Sequence, residues 1–385
     1  MLALVLFTLL QDPVGDLDAK DPAVARRAFE AAVKAGDEKA LEVVAKTSSN
    51  AQLALGEIRA HKRFGENYPP VSLVTFKATE QRLPEFVADL SKAVNIPIDD
   101  YHKNRGLKGD EVITLDLVDA YPMEAVDRML GALNAQGWYT GKGFEYTRGW
   151  TRKNPHMFHW RHVAFFPSTL TEERALDPLG KPGRTCALAV VFRHDGLSRI
   201  VGIRPPRSVE GLDDRGALLK PATDGPEPSF HVTSAQGSFQ VHLGAIPAGC
   251  EKLDVVLGVL PVVMPEKRVW KDVALGAGKV ELEFINLKLT VENLKAPGST
   301  ARVSFQIPDN KKPHVFPEAR DFQLQGKDGT RIPATSTITW KDKQAFLDLS
   351  FNVPEGFSPT GLRVGTYEAF GEHEIPFEFS DVRVR

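Results

Sequence analysis

The segment His156-Met-Phe-His159-Trp-Arg-His162 places three imidazoles within seven residues. Neutral imidazole is a common ligand for zinc and copper, so His156, His159 and His162 are candidate metal ligands. Their spacing works against a shared ion. On a strand His159 points away from His156 and His162; on a helix the i+6 residue drifts off the face shared by i and i+3. The run contains no carboxylate and no H-E-x-x-H pattern. Asp195, beside His194, is the candidate remote partner.

The same run lies in the most unusual window of the chain. Residues 138–166 hold nine aromatics in 29 residues, against 33 in all 385. Lys142, Arg148, Arg152, Lys153 and Arg161 face a single acid there, Glu145. Trp138, Tyr139, Phe144, Tyr146, Trp150, Trp160 and Arg161 therefore form a candidate binding surface. Interleaved aromatic and basic side chains can stack on single-stranded nucleic acid, hold a glycan or act as a protein hot spot. The bland alternative is a set of hairpin strands packing one domain against the next. Nucleic acid is not the expected partner. Lys142-Gly143-Phe144 opens like the aromatic signature of an RNA-recognition motif, but Glu145 stands where Gly or Ala is required. The segment also follows the second helix of its module instead of preceding it, and the net charge of -2 supplies no field for a polyanion.

Other catalytic signatures are absent. The sequence has no G-x-S-x-G elbow, Walker loop or dinucleotide fingerprint, so no cofactor is expected. Gly276-Ala-Gly278 reads as a turn between strands. Asp99/Asp100 and Asp213/Asp214 are adjacent carboxylate pairs in turn-like sequence, where Asp serves backbone hydrogen bonding. A glycosidase needs two carboxylates held across a sugar by separate elements, and nothing singles out such a pair.

The elements that position these residues belong to a multidomain chain. At 385 residues it has room for two to four domains, and 42% hydrophobic residues is an ordinary globular content. Gly 31 and Pro 27 fall well short of a low-complexity chain. Two cysteines, Cys186 and Cys250, make neither a disulfide framework nor by themselves a four-ligand zinc site. The apolar run Met1–Leu10 is too short to span a bilayer but has the length of a signal-peptide core, although no Lys or Arg precedes it. Export to the periplasm or cell envelope is the expectation, with residues 1–20 as the signal-like segment.

Residues 21–66 read as short helices. Asp21-Pro22 is an N-cap with Pro at the first helical position, Gly36 stops that helix, Asp37 caps the next, and Ser48 opens a third. Their lengths resemble one HEAT-type repeat, which cannot bury its own faces alone. Residues 70–150 read as a β-α-β unit used twice. Phe86, Val87, Leu90 and Val94 mark the first helix, stopped by Asn95; Val126, Met129, Leu130 and Leu133 mark the second, with Gly137 as its stop. From about 184 onward short strands alternate with turn sequences such as Asp195-Gly196, Asp214-Arg215-Gly216 and Asp328-Gly329. These predict two β-sandwich (Ig-like) domains, 151–296 and 299–385, joined by Ala296-Pro297-Gly298. The fold class is α+β, mainly β.

The strand VSLVTFKAT (71–79), L-x-x-F-V-x-x-L (83–90), N-I-P-I (95–98) and VITLDLVDAYPMEAVDRMLGALNAQGWYT (112–140) together resemble the secretin and TonB short N-terminal domain. Asn95 stands where that family usually has Gly. The order of helical segment, short N-terminal-like module and paired sandwiches is similar to proteins of planctomycete-type bacteria, with Leu212–Leu219 and Ile375–Val382 as the loosely matching stretches. The resemblance implies a docking module of the cell envelope with a protein partner, and no catalysis. The rival reading is an exported hydrolase, carbohydrate-active or metal-dependent, carrying sandwich accessory domains.

Overall fold

The structure is a computed structural model and describes residues 14–100, 111–139, 143–148, 157–176, 182–219, 230–231, 236–244, 246–247, 249–276, 278–284, 287–292, 300–306 and 316–383. It is α+β and mainly β. Its contacts divide it into two units, Met1–Val262 with Glu372–Arg385, and Val263–Gly371.

The first unit opens with helices α1 (Pro22–Ala35), α2 (Glu38–Val44) and α3 (Ser49–Phe64). Each begins where its sequence provides an acceptor: Asp21 takes the Ala23 N–H, Asp37 that of Ala40, and Ser48 that of Ala51. Gly36 closes α1 in the left-handed conformation, φ 68°. Leu17, Phe29, Val33, Leu41, Leu55 and Ile58 bury one common core.

The module that follows has β1 (Val74–Arg82) antiparallel to β3 (Val112–Ala120), and β2 (Ile98–Asp100) parallel to β5 (Phe144–Arg148), which pairs antiparallel with β4 (Ala135–Tyr139). Helices α4 (Leu83–Val94) and α5 (Pro122–Leu133) cover these strands through Phe86, Leu90, Val126 and Met129. Asn95 stops α4 with φ 55°, in the role its sequence position suggested. Gly137 does not stop α5. Asn134 does, at φ 52°, and Gly137 lies inside β4, where a Cβ would come 2.3 Å from Cε1 of Phe144.

Beyond the module, β6 (Phe158–Trp160), β7 (Val163–Leu176), β8 (Pro182–His194) and β13 (Gln236–Leu243) form an antiparallel sheet. A second sheet runs β11 (Leu218–Leu219), β10 (Arg207–Asp213), β14 (Lys252–Pro265), β9 (Gly202–Ile203), β12 (Phe230–His231), with β23 (Phe370–Arg383) also paired to β14. Phe377 packs near Phe165 and Phe239, centroids 6.0 and 5.6 Å away, so the C-terminal strand belongs to this core.

The second unit is one antiparallel path of eight strands: β15 (Arg268–Ala274), β22 (Pro359–Tyr367), β19 (Phe322–Gly326), β20 (Arg331–Lys341), β21 (Gln344–Phe351), β18 (Thr300–Gln306), β17 (Leu287–Glu292) and β16 (Val280–Phe284). β20 pairs with β19 through its first residues and with β21 along most of its length. The path curls so that Phe284 of β16 meets Tyr367 of β22 edge-on at 6.1 Å. β16 and β17 pair antiparallel from Phe284 and Leu287 outward. The expected linker 296–298 lies outside the described residues. The strands on either side of it, β17 and β18, are direct neighbours in one sheet.

Candidate functional site

The basic, aromatic window converges on a two-residue hairpin. Trp160 pairs with Val163, leaving Arg161 and His162 as the turn between β6 and β7. Arg161 has φ +48°, a conformation that two-residue hairpins usually assign to Gly or Asn. It is also 1% exposed. The hairpin therefore delivers a guanidinium into the interior of the first unit.

Acids from two helices meet it there. Nη1 of Arg161 lies 3.1 Å from Oε2 of Glu30 on α1, and Nε lies 3.4 Å from Oε2 of Glu57 on α3. Nη2 donates to Nε2 of His61 at 2.9 Å, and His61 Nδ1 donates to the Tyr68 carbonyl at 2.8 Å. Burial, together with the neighbouring Arg161 charge, pushes the His61 pKa down, in keeping with a neutral ring of fixed tautomer.

Glu57 is the hub. Oε2 accepts the Tyr68 hydroxyl at 2.9 Å, and Oε1 accepts the Trp160 indole N–H at 3.0 Å and the His373 ring at 3.1 Å. Burial alone would raise this carboxyl. His373, Arg161 and Trp160 overcome it and hold Glu57 far below the usual carboxylate range. Glu30 goes the other way. Its burial outweighs the pull of Arg161, with the Glu57 charge adding to the rise, so its pKa lies above the ordinary value.

His162 completes the cluster. Nδ1 faces Oδ2 of Asp195 at 2.5 Å and Nε2 faces the Pro69 carbonyl at 2.6 Å. Asp195 Oδ1 accepts from the backbone N–H groups of Leu197 and Ser198 and from the Ser198 hydroxyl. Against the upward push of burial, His162 keeps Asp195 low. The Tyr68 ring sits among three imidazoles, His61, His162 and His373, at centroid distances of 5.1, 5.1 and 5.0 Å.

A smaller group lies one strand away. His159 Nε2 lies 2.8 Å from Oδ2 of Asp127 on α5, and Arg193 of β8 pairs with the other oxygen, Oδ1. Arg193 and His159 hold Asp127 low in spite of burial, which would raise it. Arg26 joins α1 to the module through Glu124 at 2.7 Å and the Asp119 carbonyl at 3.0 Å.

The residues singled out in the sequence thus separate. Phe144 and Tyr146 are 2% and 1% exposed, inside the module core. Trp160 is half-buried against Phe29 and donates to Glu57, and Arg161 is interior. Trp138 and Tyr139 lie on β4 opposite Glu145 and Phe144, with side chains outside the described set; Trp150 and His156 also lie outside it. His159 and His162 are engaged by different carboxylates, Asp127 and Asp195. Asp195 does meet the histidine run, as a hydrogen-bond acceptor for His162. Glu30, Glu57, His61, Tyr68, Asp127 and His373 carried no motif. The readable trace was Glu57 and His61, which interrupt the stripe that Ala54 and Ile58 share on α3.

Chemically, the arrangement is a clamp. Its acids and imidazoles already hold α1, α3, the 67–69 segment, the β6–β7 turn, the 195–198 turn and β23 together. Among the described residues no helix is long and apolar enough to cross a membrane. No family model and no curated protein matches the chain. A solved chain from the Salmonella SPI-1 type III secretion injectisome basal body (InvG, PrgH and PrgK) aligns with 78% of this chain and 92% of its own length, at 10% identity. Its TM-score of 0.17 is too low to support any argument about fold or function.

Proposed function

We propose that this chain is a non-catalytic binding or scaffolding protein of the cell envelope, exported to the periplasm and acting through contacts with a protein partner. One observation carries the non-catalytic reading. The side chains best suited to acid–base work, Glu57, His61, His162 and Asp195, are engaged with one another and with backbone groups in holding segments together. The envelope assignment rests on the signal-like residues 1–20 and on the resemblance of 70–150 to the secretin and TonB short N-terminal domain. Ig-like sandwiches would serve as its spacers.

With Phe144, Tyr146 and Arg161 interior, the contact surface rests on Trp138, Tyr139 and Trp150. Cross-linking in native cells, followed by fractionation and identification of what co-purifies, tests both parts. Recovery in the envelope fraction with one reproducible protein partner is expected. Replacing Trp138 and Tyr139 together by Ala lowers that recovery by about tenfold or more, as loss of aromatic hot spots does, with the melting temperature measured alongside. Recovery from the cytoplasm with an intact N-terminus overturns the envelope assignment; undiminished cross-linking overturns the surface.

A further inference from the structure

Away from the Arg161 clamp, the turn after β10 faces the start of β14. One carboxylate oxygen each from Asp213 and Asp214 and the sulfur of Cys250 all lie within 4.8 Å of one another. Asp213 is fully buried. Its Oδ1 accepts the backbone N–H groups of Arg215 and Ala217 at 3.0 and 2.7 Å, which is the turn role expected from its sequence. Its Oδ2 is buried without a hydrogen-bond partner among the described residues, and so is Oδ1 of Asp214, whose Oδ2 takes the Glu251 N–H at 3.0 Å.

Turn chemistry accounts for one oxygen of each acid and leaves the other unexplained. Two adjacent carboxylates, one of them fully buried, repel each other when both are ionised, and a bound cation offsets that repulsion. The nearby basic groups point elsewhere: Arg215 donates to the Gly249 carbonyl at 3.1 Å, and Lys252 pairs with Asp254 and Asp381.

We propose that Asp213, Asp214 and Cys250 bind a divalent cation of the zinc class. A thiolate with two carboxylate oxygens suits a borderline-soft ion that accepts both sulfur and oxygen, and it suits calcium or magnesium poorly. On binding, the Cys250 S–H bond is replaced by a sulfur–metal bond, and the proton leaves to solvent. The hydrogen bond from Sγ to the Lys252 carbonyl, 3.2 Å, is given up. Burial and the Asp214 charge push the metal-free thiol up, so it keeps its proton at neutral pH and the cation must displace it. Three ligands leave at least one position for water. The ion would fasten the 213–217 turn to 249–252, two segments already joined by Asp214 N–H to Lys252 O at 3.2 Å.

The test uses the full chain carrying Cys186→Ala, which leaves Cys250 as its one thiol, titrated anaerobically with Co(II). One equivalent is expected to produce a sulfur-to-cobalt charge-transfer band that Zn(II) abolishes. Cys250→Ser in the same background removes the band. Asp213→Asn, which keeps the turn acceptor, weakens binding about tenfold or more. Zinc is also expected to slow alkylation of Cys250, a readout that needs no variant at the site. Absence of the band together with unchanged alkylation in zinc overturns the site. A band that survives Cys250→Ser overturns it equally.

Discussion

Arg161 carries two penalties at once, a left-handed turn conformation and removal of its charge from water. The first costs on the order of 1–3 kcal/mol, and the second several more unless partners replace the lost hydration. Glu57 and Glu30 supply opposite charge and His61 a hydrogen bond, while Nε and Nη1 of Arg161 make no hydrogen bond among the described residues. Arg161→Gly separates the two effects: it relieves the backbone yet leaves Glu57 and Glu30 without their guanidinium. The expected net loss is roughly 3 kcal/mol, seen as a lower denaturation midpoint. Adding Glu57→Gln to that variant costs less than in the wild type, because the charge it removes has already lost one of its partners, Arg161. The pH profile has a stated sign. His61 is depressed in the folded chain, so between its folded value and about 6.5 the unfolded chain binds a proton that the folded chain does not. Stability therefore falls as pH drops through that window. Glu57, Asp127 and Asp195 add further loss only below about pH 4.5, since their folded values are lowered. Glu30, raised, opposes this between its unfolded and folded values. Melting temperature measured from pH 7 to 5 should decline less steeply in His61→Asn, which can still donate to Tyr68 O and accept from Arg161. An unchanged slope would assign the decline to other groups.

Gly137 shows how the same residue can mislead at the level of the element. A glycine shortly after an amphipathic run is the usual signal for a helix stop, yet Asn134 takes that role. Gly137 is needed because the Phe144 ring of the paired strand lies over it, and because a Cβ would also come 2.8 Å from the Glu145 carbonyl oxygen. Gly137→Ala is expected to destabilise the first unit by about 1–3 kcal/mol through overpacking. Phe144→Leu in the same chain recovers only part of that, since the clash with the Glu145 carbonyl remains. Comparing the three denaturation midpoints checks both statements. The caps on α1, α2 and α3 and the stop at Asn95 were legible because each rests on one side chain bonding, or one residue bending, its own backbone. The clamp was not, because it assembles residues as far apart as Glu30, Glu57, Arg161 and His373, and no local spacing encodes such a meeting. The strand β7 carries no strand pattern of its own for a related reason: its partners β6 and β8 supply the pairing, while Pro167 and Glu172-Glu173 interrupt its alternation.

Over the whole molecule, the second unit is an insertion within the first. The chain leaves the first unit after Val262 and rejoins it at Glu372. Within the second unit the two ends lie side by side, with the Glu266 N–H bonded to the Ala369 carbonyl at 2.9 Å and Arg268 paired with Tyr367. Neighbouring termini let a segment be removed or expressed alone without leaving a gap to bridge. Residues 263–371 produced by themselves should therefore unfold in one cooperative transition. The first unit depends on what returns after the insertion. Ile375, Phe377 and Phe379 are at most 1% exposed, and His373 bonds Glu57. Burying each of those three side chains contributes about 1.5–3 kcal/mol, a sum comparable with the whole stability of an ordinary domain, about 5–15 kcal/mol. Ending the chain at Gly371 should thus leave residues 1–262 unfolded or aggregating through the β14 edge that β23 covers. Replacing 263–371 by a short Gly/Ser linker keeps β23 and should preserve a cooperative transition for the first unit. If the truncated chain melted as that linked chain does, β23 and His373 would contribute nothing to the core, and Glu57 would have to be held by Tyr68, Trp160 and Arg161 alone.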